Sequence, residues 1–79
     1  MVIIRNIKRN DSVVEFDYYP ENEQEKGSII YNYNTKTIIS HIKTIYDDVM
    51  DYAGHAIDAI ERYIEQNKDF PSEICEMWY

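Results

Sequence analysis

The hydrophobic rhythm of the chain changes near residue 44, and that change limits what it can fold into. Before it, apolar residues alternate with polar ones, the period of a strand with one covered face; after it, they recur every three or four positions, the period of an amphipathic helix. Charge divides at the same place. Residues 1–44 hold six acids and six bases, whereas residues 45–79 hold nine acids against Arg62 and Lys68. The first half is therefore neutral, and the whole net charge of −7 lies in the second half. The pattern predicts an α+β fold in one domain of 79 residues: a four-stranded antiparallel meander over 1–44, one C-terminal helix packed on one face within 45–69 (ββββα), and a short apolar tail over 70–79.

Strands are expected at 2–9, 12–19, 28–34 and 37–43. Asn10-Asp11 supplies the first turn, Pro20 stops the second strand, and the polar run Glu21–Lys26 forms a solvated loop closed by Gly27. A meander with Tyr18 opposite Ile29 places Phe16, Tyr31, Tyr33, Ile38, Ser40 and Ile42 on the helix side, with Ile3, Arg5 and Ile7 beside them. Arg5 is then a misfit, at the edge or over the Phe16 ring. The other face would carry Val2, Ile4, Val13, Tyr19, Ile30 and Ile39 among Glu15, Asp17 and Asn32, and it is too apolar to stand in water alone. A helix over 47–68, capped by Asp47 or Asp48 and ended by Asn67, Lys68 and Pro71, presents Val49, Ala53, Ala56, Ile60 and Ile64, flanked by Tyr52, Ile57 and Tyr63. Gly54 within it costs about 1 kcal/mol relative to alanine, unless it marks local packing or a later helix start.

Composition narrows the function classes. A pI near 4.6, with Arg5, Lys8 and Arg9 as the only basic cluster, argues against direct binding of nucleic acid or of acidic membranes. A lone Cys75 and the absence of a signal-peptide pattern point to the cytoplasm, and Arg5 interrupts the only N-terminal apolar run. Glu73 and Glu76 flank Cys75 and disfavour a thiolate, so a packed small side chain is expected there.

Asp51, His55, Asp58 and Arg62 share one side of the helix. An acid–base reading makes His55 a general base oriented by a carboxylate, in a pocket beside Tyr52. A row of solvated ion pairs, each worth about 0.2–0.5 kcal/mol, explains the same residues more simply. The weak ligand-site candidates are Tyr52, His55 and Asp58. No metal, cofactor or catalytic residue is assigned, since His41 is expected on the far sheet face and no further ligands join Asp51 and His55. The leading expectation is a non-enzymatic protein-binding module that pairs with itself as a homodimer, using Tyr19, Ile30, Ile39, Met77, Trp78 and Tyr79. For the aromatic end of the tail, Trp78 and Tyr79, docking on its own subunit comes first and docking on another copy close behind. A second reading makes the row Asp47, Asp51, Asp58, Glu61 and Glu65 a phosphate mimic that occupies a basic site on a nucleic-acid-binding partner.

Overall fold

The computed structural model describes residues 1–48 and 50–78. It is an α+β fold: a five-stranded antiparallel sheet with one helix on one face. The strands are β1 (Val2–Arg9), β2 (Val13–Pro20), β3 (Gly27–Asn32), β4 (Thr37–Ile42) and β5 (Glu73–Glu76), in the order β4-β3-β2-β1-β5. A short 3₁₀ turn, Ile45–Asp48, precedes α1 (Tyr52–Glu65). The four-stranded meander and the helix follow the alternation and the helical period in the sequence. The fifth strand is new: the tail adds itself to the free edge of β1.

Register decides which side chains meet the helix. Tyr18 pairs with Gly27, Phe16 with Ile29 and Val14 with Tyr31, a slip of two residues from the expected pairing. An even slip keeps every side chain on its face, so Val14, Phe16, Tyr18, Ile29 and Tyr31 are all buried toward α1 as anticipated. Two bulges reverse the parity elsewhere. In β1 the register shifts between Arg5 and Lys8, where Asn6 has φ 56°. Val2 and Ile4 thus face the core at 0% exposure, and Ile3 and Arg5 face outward. Ile7, beyond the bulge, returns to the core side. The misfit Arg5 lies with its guanidinium 4.8 Å above the Tyr19 ring, not above Phe16.

The second bulge falls in β4 opposite Ile30 and Tyr31: Tyr31 pairs with Ile38, but Ile30 pairs with Ser40. The extra residue is Ile39. It turns Ser40 and Ile42 to the outer face and brings His41, expected there, to the core side opposite Ile29. The outer face thus gives up Val2 and Ile4, takes Ile3 and Ile42 in exchange, and gains the polar Arg5 and Ser40.

α1 starts at Tyr52 because the Asp51 carboxylate accepts the Gly54 N–H at 2.8 Å, making Asp51 the N-cap in place of Asp47 or Asp48. It buries Tyr52, Ala53, Ala56, Ala59 and Ile60, with Ile57, Tyr63 and Ile64 at the margins. Val49, expected in this stripe, lies outside the described residues. Three alanines let the helix sit close to the sheet, and each large aliphatic buried between them contributes about 1.5–3 kcal/mol. The helix ends on Asn67, which is left-handed at φ 54°. The Asn67 N–H donates to Ile64 O and the Lys68 N–H to Tyr63 O, a Schellman closure. No described helix is long and apolar enough to cross a membrane.

Candidate functional site

β4 is an edge strand, and the exposed isoleucines among the described residues gather on it and just beyond it. Ile38, Ile39 and Ile42 are 45%, 56% and 65% exposed, and Ile45 just beyond is 66% exposed. The ladder explains why backbone groups are also free there. The Tyr33 N–H donates to Ser12 O, so Ile29 and Tyr31 turn their polar backbone toward β2, and Ser28 and Ile30 turn theirs toward β4. Ile42 and Ser40 answer Ser28 and Ile30, which leaves the His41 N–H and C=O pointing away from the sheet. Residues 34–44 carry Lys36 and Lys43 and no acid, in a chain whose net charge is −7.

Beneath this edge lies a half-buried polar relay centred on the fully buried Tyr18. The Tyr18 hydroxyl donates to Asp47 Oδ2 at 2.6 Å and stands 2.7 Å from His41 Nε2. A phenol has one proton, and it goes to the carboxylate. His41 therefore carries its proton on Nε2 and donates to Tyr18. Asp47 Oδ2 also accepts from the Thr44 N–H and hydroxyl, both at 2.9 Å, while Oδ1 accepts the Ala53 N–H at 3.2 Å. Burial first, then the Asp47 carboxylate, push the Tyr18 phenol far above its ordinary value, so it does not ionise as a nucleophile. Burial opposes the charge on Asp47, but the donors from Tyr18, Thr44 and Ala53 outweigh it and hold its carboxyl below the usual range. The relay ties the 3₁₀ turn and the start of α1 to the sheet; it is a staple, with no open space around the phenol.

The predicted site residues do not form one surface. Tyr19 and Ile30 stand half-buried on the outer face, Ile39 marks the β4 bulge, and Met77 is exposed beyond β5. Trp78 turns to the helix instead. Its ring stacks on His55 at 3.8 Å and 6°, meets Tyr52 edge-on at 5.7 Å, and directs Nε1 to Met50 Sδ at 3.2 Å. Tyr79 lies outside the described residues. Tyr52 and His55 are thus brought together, around Trp78, and the space expected between them is filled. Asp58 remains exposed and apart. Cys75 is exposed rather than packed, because Ile74 and Glu76 take the inward positions of β5.

The acidic row of the helix is mostly engaged. Asp47 belongs to the staple, Asp51 caps α1, and Glu61 receives the Tyr31 hydroxyl and pairs with Lys36 at 3.4 Å. Burial, then the Glu61 carboxylate, push the Tyr31 phenol up to about 12. A shallow cleft of about 340 Å³ lies on the outer face among Asn6, Lys8, Glu15, Asp17, Ser28 and Ile30. Its charges are matched internally: Lys8 is 3.8 Å from Glu15, and Asp17 accepts from Asn6, Lys26 and Ser28 at 2.8–3.0 Å. Among the described residues no cluster of three His, Cys, Asp or Glu is placed to hold a metal.

The sequence pattern missed His41, Tyr18 and Asp47 as a unit, because an extra residue in β4 leaves no mark in the alternation. No family model, no curated protein and no solved structure matches the chain.

Proposed function

We propose that this chain is a non-enzymatic protein-binding module that pairs with a second copy of itself along β4. The observation that carries the reading is the set of exposed isoleucines Ile38, Ile39 and Ile42 on an edge strand unpaired on one side, with His41 of the same strand tied to Tyr18 and through it to Asp47. Antiparallel pairing of two β4 strands across a two-fold axis is self-complementary, since each strand supplies the free N–H and C=O that the other lacks. The charge distribution favours this place for contact between copies. The acids that make two such chains repel lie chiefly beyond residue 45, whereas 34–44 has none.

Sedimentation velocity tests the reading directly. The wild-type chain should show a concentration-dependent dimer, and Ile39→Lys or Ile42→Lys should give monomers with an unchanged far-ultraviolet spectrum, since both side chains are already exposed. A wild-type chain that stays monomeric at high micromolar concentration would remove the proposal.

A further inference from the structure

The tail is held as a bound peptide is held, by a receptor built from β1 and α1. Its backbone adds to β1 with Glu73 opposite Arg5, Ile74 opposite Ile4, Cys75 opposite Ile3 and Glu76 opposite Val2. Its inward aliphatic, Ile74, enters the core and is 7% exposed. Each of its two acids meets an arginine: Glu73 Oε1 is 2.6 Å from Arg5 Nε, and Glu76 pairs with Arg62. Arg62 is one of only two bases beyond residue 45, and it is spent on this contact. The last anchor is Trp78, in the slot formed by Tyr52, His55 and Met50. An acid, an aliphatic, a second acid and an indole are thus each read by a separate feature of the same surface.

The connection to this strand is built to extend. Phe70 remains with the helix, stacked on Tyr63 at 5.7 Å, and only Pro71 and Ser72, both exposed, separate it from β5. Proline fixes its own φ and drives the preceding residue out of the helical region, so the helix cannot run on through this hinge.

We infer that the β1 edge and the Tyr52–His55 slot form a peptide-binding site whose second occupant is residues 73–78 of another copy of the chain, taken up by reciprocal strand exchange. Exchange repeats in trans every contact the tail makes in cis, so only the hinge and the concentration set the balance. This site is separate from β4 and does not depend on pairing there.

A charge-reversal mixture tests it, using full-length chains in an Ile42→Lys background so that β4 pairing is silent. Arg5→Glu alone sets Glu against Glu73, and Glu73→Arg alone sets Arg against Arg5. Each should release the tail, with Trp78 emission, the only indole signal, shifted to the red. In an equimolar mixture, reciprocal exchange restores an opposite-charge pair at both receptors. The expected result is a species of twice the monomer mass with wild-type emission. The double variant Arg5→Glu/Glu73→Arg should regain wild-type emission by itself as a monomer. A mixture of released-tail chains that remains at monomer mass with red-shifted emission overturns the exchange; where one reversal leaves the tail docked, Arg5→Glu/Arg62→Glu mixed with Glu73→Arg/Glu76→Arg reverses both ion pairs and reads the same two outcomes. If Arg5→Glu fails to fold, Arg62→Glu with Glu76→Arg repeats the design at the second ion pair. Loss of β4 pairing in the wild-type background would leave this result unaffected, so the two readings fail separately.

Discussion

Tyr18 lies directly across Gly27 in the β2–β3 ladder, and its phenol ring occupies the space a Cβ at residue 27 would need. The glycine is therefore part of the staple: without it the ring could not run flat across β3 to reach His41 and Asp47. A substituent at 27 meets a fully buried ring held at its far end by two hydrogen bonds, which cannot swing aside. Gly27→Ala should cost about 1–3 kcal/mol, as overpacking in a fixed core does. Tyr18→Phe should cost about 1–3 kcal/mol for a different reason, since it leaves Asp47 and His41 short of a partner. Urea unfolding of both, and of the double variant, checks this. The double should be no worse than the sum, because removing the hydroxyl frees the ring to shift.

Acid should loosen the molecule through Asp47 and Asp17. Burial raises both carboxyls, but the donors around each outweigh it, and both are held below their ordinary values in the folded state. A lowered folded value means the unfolded chain takes up the proton first. The stabilisation is complete above the unfolded value of about 3.9 and is lost as pH falls through the folded value. Melting temperature should be flat in this contribution from pH 7 to near 5 and should drop below pH 4. Asp47→Asn should start lower at pH 7 and lose less between pH 5 and 3. An equal slope for wild type and Asp47→Asn would show that the staple does not carry the acid sensitivity.

The period of the apolar residues made the layer arrangement legible, and the even slip in β2–β3 did it no harm, because parity survives a shift of two. Parity fails wherever a residue is inserted. Asn6 and Ile39 are such insertions, and neither composition nor alternation distinguishes them from their neighbours. That is why Arg5 looked like a misfit, why Val2 and Ile4 were expected outside, and why His41 was expected away from Tyr18. The fifth strand was hidden for another reason. Residues 73–76, two of them acids, have no strand signature of their own; they become a strand because Arg5 donates to Glu73, Arg62 pairs with Glu76 and Ile74 is buried opposite Ile4.

Asn67 closes the helix in a left-handed conformation that an L side chain adopts at a cost. Glycine takes the same conformation without a steric penalty, and alanine pays it without the local hydrogen bonding that helps asparagine. Asn67→Gly should be neutral or stabilising by a few tenths of a kcal/mol, and Asn67→Ala destabilising by about 1 kcal/mol. Thermal unfolding of the pair reads the difference, and identical melting temperatures would argue against the Schellman closure.

Asp51 and Gly54 should behave as one unit. The Asp51 carboxylate accepts the Gly54 N–H, and a Cβ at residue 54 would collide with that same carboxylate. Asp51→Ala removes the cap and should cost about 0.5–2 kcal/mol. Gly54→Ala gains about 1 kcal/mol of helix propensity, but it displaces the cap, so the two effects nearly cancel and the single variant should look neutral. In the Asp51→Ala background nothing remains to collide with, and the alanine should show its full gain of about 1 kcal/mol. The double-mutant cycle therefore predicts a coupling of about 1 kcal/mol, well beyond what separate sites give. Strict additivity would mean that the carboxylate finds another rotamer at no cost. In that case Gly54 is kept for some reason other than the cap.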